Sequence, residues 1–409
     1  MKVDTMREID RYAGVPITFV LGLIYRLIYL IVPRKKVAVK NALFIELSEM
    51  GSAIFADPAM RKLKEDTGAT LHFVIFKKNA ISLSLLRTIP EQNVYLIRED
   101  NLWVFAWDVL GFLLWCRRRR IDTVIDLELF SRATSILTAL SGATNRAGFH
   151  RGHDEGLYRG EFLTHPVTYN SHVHVSVNFM SLIQVLSQPC TEPPYKKSLI
   201  SQDKIVLAQA EVSAGERDTM RRRLQELYAG YEGGEHRILL VNANASDLLP
   251  QRRWMPERFV EVIRRLLDKH SDLLVVMTGA AGEKEQSQGI CDQVGDPRCL
   301  NSAGFFRFEE LTSLYAISDA RLSNDSGPPH FASITPLKTF VLFGPETPSL
   351  YCSLGNTEPV FAGLACSPCV SAFNHRKTSC TDNQCLKAIS TDEVTRRVDD
   401  YFQQVIASG

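Results

Sequence analysis

The order of apolar and polar positions divides the chain into two stretches in which strands and helices alternate. Short runs of β-branched and aliphatic residues predict strands, and amphipathic segments that end in glycine or charge separate them, as helices do. The first stretch predicts strands in KVAVKNALFIEL, ATLHFVIF, NVYLIR and DTVIDLE, and the second in RILLVNAN, DLLVVMTGA, ARLSND and LKTFVLFG. This alternation predicts two doubly wound α/β domains, each with a parallel sheet covered by helices on both faces.

The same pattern predicts the domain boundaries. We expect an apolar and basic segment over residues 1–35, an α/β domain over 36–200, a linker over 201–236, a second α/β domain over 237–390 and a last helix over 391–409. A chain of 409 residues with 45% hydrophobic residues is long enough for two such domains.

An apolar run over residues 13–32 is interrupted by Thr18 and Arg26. Its length suffices to cross a bilayer, but a charge in mid-run costs about 3 kcal/mol. Basic residues on both sides instead favour a helix that lies in the headgroup region of an anionic membrane. A true span and a helix buried in the fold are the alternatives.

A second, shorter apolar stretch covers residues 102–116 and is followed by the arginine run 117–120. Its length and the aspartate at position 108 favour a core helix over a span. The arginine run predicts a solvated helix end, with a membrane-facing patch as the alternative.

Charge restricts the partners. With 47 basic and 46 acidic residues the net charge is +1, which leaves no field to hold a nucleic-acid backbone. An anionic ligand must therefore be held locally, and in parallel sheets ligands bind beyond the carboxyl ends of the strands.

The turn NDSGPPH, residues 324–330, offers such a place. Gly327 lets the backbone approach a ligand, Asp325 and Ser326 are expected to cap the following helix, and the free N–H groups at its start favour a diphosphate. A capped strand-to-helix turn without a ligand is the alternative.

Several motifs in order extend this interpretation: IDLELFSRATSILTALSGATNRAGF, NANASDLLPQRRWMPERF, VVMTGAAGEKE, SNDSGPPHFASI and KTFVLFGPETPSLY. Together they resemble glycosyltransferase family nine, the bacterial lipopolysaccharide heptosyltransferases, over most of residues 37–390. The resemblance implies a glycosyltransferase-B fold, in which two Rossmann-like domains face a cleft, the nucleotide sugar binds the C-terminal domain and the acceptor binds the N-terminal one. It also implies inverting, metal-independent transfer of a heptose or related sugar from ADP-heptose or a similar donor to a lipid-linked glycan, at the cytoplasmic face of the bacterial inner membrane.

The resemblance also implies roles for single residues. Ser326, Gly327 and His330 would face the diphosphate, and Asp325 would set the turn. Glu283 would hold the ribose hydroxyls, and Arg252 would neutralise phosphate charge with Arg253, near Ser246 at the same strand end. Trp254 is a candidate for contact with the nucleotide base, whereas Arg253 as a surface residue and His330 as a satisfied helix histidine are alternatives.

The catalytic base departs from the family pattern, in which an aspartate follows glycine in the loop after the first strand. Ser52 occupies that position, and we expect Glu49 to be the base, with Glu46 and Glu128 as weaker substitutes and a solvated or capping Glu49 as the alternative. No Asp-x-Asp sequence occurs, which agrees with stabilisation of the leaving group by fixed dipoles.

Four cysteines, Cys366, Cys369, Cys380 and Cys385, form two close pairs that suit a structural zinc. Redox-labile pairs and unliganded thiols are the alternatives. Because the sequence shows no export signal, disulfides are less expected than reduced thiols or a bound metal. Cys116, Cys190, Cys291, Cys299 and Cys352 are expected to be packing residues.

Two other function classes stay open. A nucleotide-sugar epimerase can share this fold and would need no acceptor, whereas a non-catalytic nucleotide-sugar binder would explain the missing loop aspartate.

Overall fold

The computed structural model describes residues 3–32, 37–129, 131–150, 158–188, 192, 196–371, 374 and 376–408. The chain forms two compact units, Met1–Ala208 and Gln209–Gly409. Cys190 and the basic residues 34–36 lie outside the described residues.

The N-terminal unit contains one parallel sheet with the strand order β3-β2-β1-β4-β5-β6. Its strands are β1 (Asn41–Ile45), β2 (Thr70–Phe76), β3 (Val94–Ile97), β4 (Thr123–Asp126), β5 (Asn145–Phe149) and β6 (His165–Val167). Its helices are α1 (Val3–Tyr12), α2 (Gly14–Ile31), α3 (Met50–Thr67), α4 (Ile81–Leu86), α5 (Leu102–Arg118), α6 (Arg132–Leu140) and α7 (Val175–Ser187).

The C-terminal unit contains a second parallel sheet with the order β12-β11-β10-β7-β8-β9. Its strands are β7 (Arg237–Asn242), β8 (Leu273–Met277), β9 (Cys299–Asn301), β10 (Ala320–Asn324), β11 (Lys338–Phe343) and β12 (Thr357–Phe361). Its helices are α8 (Ala214–Leu227), α9 (Pro256–Lys269), α10 (Lys284–Val294), α11 (Leu311–Ala316), α12 (Gly327–Ala332), α13 (Pro348–Tyr351), α14 (Gln384–Lys387) and α15 (Thr391–Ser408).

Both sheets have the topology expected of doubly wound domains, because the chain starts at a central strand and adds strands first on one side and then on the other. In the second unit β10 lies between β7 and β11, with Ser323 opposite Asn242 and Asn324 opposite Leu342. The carboxyl ends of these three strands therefore finish side by side, and the residues that follow them share one edge of the sheet.

Helix α2 lies along the N-terminal unit with one narrow face. Its buried residues, Gly14, Thr18 and Gly22, are spaced four apart, and small side chains there let the helix approach closely. Polar side chains add contacts: the Tyr25 hydroxyl donates to the carbonyl oxygen of Ala139 at 2.6 Å. Because only 17% of the most apolar window of Thr5–Ile31 is buried, a helix buried in the fold is wrong for this segment.

Helix α5 is a core helix on one face only. Asp108, Phe112 and Cys116 are buried, and Asp108 accepts two hydrogen bonds from the Arg98 guanidinium, at 2.9 and 2.7 Å. The opposite face exposes large apolar side chains, so the expectation of a helix enclosed in the core is wrong for that half.

Candidate donor and base sites

Asn324, the last residue of β10, fixes the neighbouring chain segments at the carboxyl edge of the second sheet. Its buried side-chain amide donates to the carbonyl oxygen of Ala243 at 2.8 Å and accepts the backbone N–H of Trp254 at 3.0 Å. Ala243 follows β7, and Trp254 directly follows Arg252 and Arg253. One amide thus holds the arginine pair next to the NDSGPPH turn.

Arg252 and Asp325 form a buried ion pair at this edge. Their Nη1 and Oδ2 atoms are 3.7 Å apart, and the side chains are 15% and 4% exposed. Burial raises the pKa of Asp325 to about 6, although the charge of Arg252 opposes the shift, and the charge of Glu346 adds to it. Within the described part of the chain, Arg252 Nε and Asp325 Oδ2 make no hydrogen bond.

The amide of Asn244, just after β7, and the carboxylate of Glu346, just after β11, add to this set. Both Asn244 side-chain atoms and Glu346 Oε2 are buried without a hydrogen-bond partner among the described residues. An unsatisfied buried polar group costs about 1–3 kcal/mol. A concentration of such groups at one sheet edge therefore indicates a ligand site.

Sequence reasoning places Glu346 after a strand end but gives it no role, and it does not find Arg376. Arg376 Nε donates to Glu346 Oε1 at 2.8 Å, and its guanidinium lies 4.5 Å from the centre of the Tyr351 ring. The position of Glu346 directly after a strand end was a usable signal. Arg376 carried none, because it lies 30 residues further along the chain and reaches the edge only through the fold.

The turn at Ser326 differs from the expected cap. Ser326 Oγ donates to the carbonyl oxygen of Asn324 at 3.1 Å, and α12 has no side-chain cap, so capping by Asp325 and Ser326 is wrong. A Cβ atom added to Gly327 would meet Phe331 at 3.6 Å as its nearest neighbour, an ordinary contact. Packing within the protein therefore does not require glycine there.

His330 on α12 is engaged by its surroundings. Its Nδ1 lies 2.7 Å from the Ser353 hydroxyl. Nδ1 thus has a protein partner, which agrees with the alternative that His330 is a satisfied helix histidine.

The remaining predicted donor residues surround this edge. Glu283 Oε2 accepts the backbone N–H of Ala280 at 2.7 Å, close to the Cα of Gly279, where an added Cβ would lie 2.8 Å from that oxygen. Ser246 is exposed, and its Oγ accepts the backbone N–H of Leu248 at 3.3 Å.

The side chains of Arg253 and Trp254 have partners within the protein that the sequence does not predict. Arg253 Nε donates to the carbonyl oxygen of Ala245 at 2.9 Å, and the guanidinium pairs with Asp247, so the side chain is engaged in its own loop. Trp254 is 1% exposed, and its Nε1 donates to the carbonyl oxygen of Leu386 at 3.1 Å. Trp254 is thus part of the core, and contact of its ring with a nucleotide base is wrong.

Carboxylates gather at the carboxyl edge of the first sheet. Glu128 Oε1 accepts the backbone N–H groups of Leu47 and Ser48 at 2.9 and 3.0 Å, and Glu46 Oε1 accepts those of Ser48 and Glu49 at 3.3 and 3.2 Å. Burial raises the pKa of Glu128 to about 7, and burial followed by the charges of Glu128 and Glu49 raises that of Glu46. These two carboxylates hold the loop after β1.

Glu49 follows in the same loop and is the residue directly before α3. Its Oε2 accepts a hydrogen bond from the Ser52 hydroxyl at 2.8 Å, and it makes no side-chain cap to α3. Ser52, the residue at the family's aspartate position, therefore orients the nearest alternative carboxylate.

Three of the four cysteines of residues 366–385 lie near one another, but not in an arrangement that could hold a metal among the described residues. Cys369 Sγ lies 3.5 Å from the Thr378 hydroxyl, and Cys385 Sγ lies 3.5 Å from Asn383 Oδ1. Burial raises the pKa of Cys385, and the nearby Cys369 and Cys380 thiols add to the shift. No three His, Cys, Asp or Glu side chains among the described residues are placed to hold a metal, so the zinc site stays a prediction.

Two six-stranded parallel sheets with polar sites at their carboxyl edges define the glycosyltransferase-B class of fold. Solved structures agree. An E. coli ADP-heptose lipopolysaccharide heptosyltransferase II matches with a TM-score of 0.65 and 18% identity, over 89% of this chain and 99% of that one. E. coli heptosyltransferase WaaC, solved with ADP, matches with a TM-score of 0.62 and 16% identity, over 88% and 99%.

The model of glycosyltransferase family 9 (heptosyltransferase) matches residues 116–379, which is more than half of the chain. The chain belongs to this family. A lipooligosaccharide heptosyltransferase 2 of Campylobacter jejuni is 25% identical over 170 residues, which are 40% of this chain and 50% of that protein. The match thus spans about half the length of this curated relative.

Proposed function

We propose that the chain moves a heptose or related sugar from ADP-heptose or a similar nucleotide diphosphate sugar to a lipopolysaccharide core or similar lipid-linked glycan. The transfer inverts the anomeric centre and needs no metal ion. The observation that carries the proposal is the buried Arg252–Asp325 ion pair. Among the described residues, atoms of this pair and of Asn244 and Glu346 lie at one edge of the sheet without hydrogen-bond partners. ADP bound to a solved protein of the same fold supports a nucleoside diphosphate as leaving group.

The diphosphate binds at the start of α12. Gly327 offers a backbone N–H at this helix start, whereas Pro328 and Pro329 have none, and α12 has no side-chain cap. The Gly327 N–H contacts a phosphate oxygen in this proposal. Arg252 supplies the positive charge, with Arg253 beside it, and Ser326 and His330 complete the phosphate contacts. Glu283, on the turn after β8, takes the ribose hydroxyls, and Ser246 lies at the rim.

Glu49 is the general base. Its carboxylate takes the proton of the acceptor hydroxyl, the oxygen bonds to the anomeric carbon, and the bond to the phosphate oxygen breaks. The electron pair leaves with the nucleoside diphosphate, and its growing negative charge is stabilised by Arg252 and the backbone N–H of Gly327.

Glu49 suits this role better than its neighbours. Glu46 and Glu128 are buried and accept backbone N–H groups, which ties them to the shape of the loop. Glu49 is half-buried, and the Ser52 hydroxyl holds one oxygen. We propose that Glu46 and Glu128 position the loop that presents Glu49.

Association with the cytoplasmic face of the inner membrane through α2 suits a lipid-linked acceptor. Most large apolar side chains of α2 are exposed, whereas its buried stripe and Tyr25 hold it along the N-terminal unit. A helix held in this way would lie in the interface with its apolar face in lipid. Confinement to the membrane surface raises the effective concentration of acceptor.

A nucleotide panel tests the donor site. A ligand at 100 times its dissociation constant stabilises the folded state by about 2.7 kcal/mol, so ADP should raise the melting temperature of the full chain. The purified protein should release ADP from ADP-heptose only when a glycolipid acceptor is added. Stabilisation by no nucleoside diphosphate would refute the donor site, and turnover without acceptor would support an epimerase instead.

A further inference from the structure

Helix α5 carries an exposed apolar stripe that the proposed chemistry does not use. Trp103 and Trp107 are 86% and 72% exposed, and Leu110 and Leu114 are 56% and 60% exposed. Their spacings of four, three and four residues place them on one face of the helix. The stripe is therefore continuous along the helix, opposite the face that packs on the sheet.

The fold holds this stripe rigidly outward. Phe112 and Cys116 on the inner face belong to the core of the first sheet, and the Asp108–Arg98 ion pair ties the helix, within its second turn, to the residue that follows β3. The stripe is thus a permanent surface feature, because turning it inward would expose the core residues and break a partly buried ion pair.

Positive charge borders one end of the stripe. Arg117, Arg118, Arg119 and Arg120 are all exposed at the end of α5. Their charges would repel one another if two copies met through this face, whereas phosphate groups of anionic lipids complement them. Tryptophan also suits the boundary between lipid chains and headgroups, where its ring is apolar and its N–H can bond.

The stripe lies on the same side of the first sheet as the N-terminal helices. Phe112 of α5, Leu137 of α6 and Met6 of α1 pack on one core cluster, and α6 contacts both α2 and α5. Helices α2 and α5 therefore lie on the same side of the first sheet, with α6 in contact with both.

We propose that the α5 stripe and the arginine run form a second docking surface for an anionic phospholipid bilayer, independent of α2. The inference rests on the proposed membrane association and adds where the N-terminal unit meets the lipid. Two separate contacts would fix the orientation of the unit on the membrane, which a single helix does not.

Tryptophan fluorescence of the full chain tests this surface. The chain has four tryptophans, of which Trp254 is buried and Trp115 half-buried, so the change on binding reports mainly Trp103 and Trp107. Vesicles with equal parts phosphatidylglycerol and phosphatidylcholine should shift the emission to the blue. An unshifted emission from protein that co-sediments with the vesicles would overturn the inference.

Variants separate the two surfaces. Trp103→Ser/Trp107→Ser should partition about a hundredfold more weakly, and Arg118→Gln/Arg120→Gln should lose about tenfold of the preference for anionic vesicles. Leu199→Ser/Val206→Ser, which changes two exposed apolar residues outside the helix, is the matched control and should partition like the wild type. An unchanged circular dichroism spectrum and an unchanged urea unfolding midpoint show that each variant folds.

Leu23→Ser/Leu27→Ser on the exposed face of α2 distinguishes this inference from the proposed anchoring. If the α2 pair abolishes partitioning and the tryptophan pair does not, the α5 surface is overturned while membrane association stands. If the wild type binds no vesicles, both fail. If the tryptophan pair changes only the sedimentation of the free protein, a second copy covers the stripe and the inference is overturned.

Discussion

Replacing Arg252 with glutamine removes the guanidinium that is paired with Asp325 and leaves a shorter, neutral polar side chain. Two opposite charges 4 Å apart attract by about 4 kcal/mol at an effective dielectric constant of about 20. The Arg252–Asp325 distance of 3.7 Å is close to that case. The question is whether this attraction is lost from the stability of the fold or from the reaction.

The pKa of Asp325 sets the limit on the loss of stability. Because that pKa is about 6, taking up a proton at pH 7 costs about 1.4 kcal/mol, which is less than the attraction that is lost. In Arg252→Gln the carboxyl should therefore become protonated, and the free energy of unfolding should fall by no more than about 1.4 kcal/mol.

Protonation of Asp325 does not compensate for the loss of the cation in the reaction. The charge that grows on the leaving diphosphate needs the cation, and loss of one such stabilising group lowers kcat by about a hundredfold to a thousandfold. Arg252→Lys keeps the charge and should recover most of the rate. Modest loss of stability with a large loss of rate is the expected signature.

Urea unfolding at pH 7 measures the free energy of unfolding, and calorimetric titration measures the affinity for ADP. Acceptor-dependent release of ADP measures kcat. Arg264→Gln is the matched control, because the Arg264 guanidinium donates to the backbone carbonyl groups of Gln293 and Val294 at the end of α10. If Arg252→Gln binds ADP and turns over like the control, the diphosphate is not held at this edge, and the reasoning from the buried pair is refuted.

Other changes test the remaining steps. Gly327→Ala should unfold like the wild type, because the added methyl makes only an ordinary contact with Phe331. It should bind ADP about tenfold or more weakly, because the methyl would crowd the phosphate proposed at the Gly327 N–H; equal binding would contradict this. Glu49→Gln should lower kcat about a hundredfold or more with ADP affinity unchanged, and an unaltered kcat would remove Glu49 as base. The raised pKa of Glu128 destabilises the fold as pH rises from about 4.5 to about 7, so Glu128→Gln should flatten this decline in urea unfolding. Metal analysis of the reduced protein should find one zinc per chain if Cys366, Cys369, Cys380 and Cys385 rearrange around it, and its absence would favour free thiols.

The fold was largely predictable because buried parallel strands are apolar over their whole length. Every strand read from the sequence is confirmed, from β1 to β4 and in β7, β8, β10 and β11. The strands that escaped are β5, β6, β9 and β12, which lie toward the sheet edges and carry sequences such as NRAGF and TEPVF. Arginine, glycine and proline interrupt the apolar pattern there, and pairing with a neighbour supplies the strand conformation instead.

The site was predictable only where its residues follow strands in the sequence. Arg252 and Asp325 were both found in this way, and the fold confirms that they meet. Arg376 was missed because tertiary packing alone brings it to Glu346. The interpretation of Trp254 failed because position after a strand says nothing about side-chain direction, and its ring turns into the core.

The two sheet edges hold their charges by different means, and the difference matches the two chemical tasks. On the second sheet, burial leaves Asp325 Oδ2, Glu346 Oε2 and Arg252 Nε without hydrogen bonds among the described residues. A phosphate oxygen can accept from Arg252, and sugar hydroxyl groups can donate to the two carboxylates, which would offset this cost. On the first sheet, Glu46 and Glu128 accept hydrogen bonds from backbone N–H groups. These hydrogen bonds stiffen the loop and need no ligand to satisfy the carboxylates. A donor site needs unmet polar groups before the ligand arrives, whereas a base needs a carboxylate fixed in position by groups that do not leave. The buried pair behind Glu49 is therefore better understood as a support for that loop than as an alternative base.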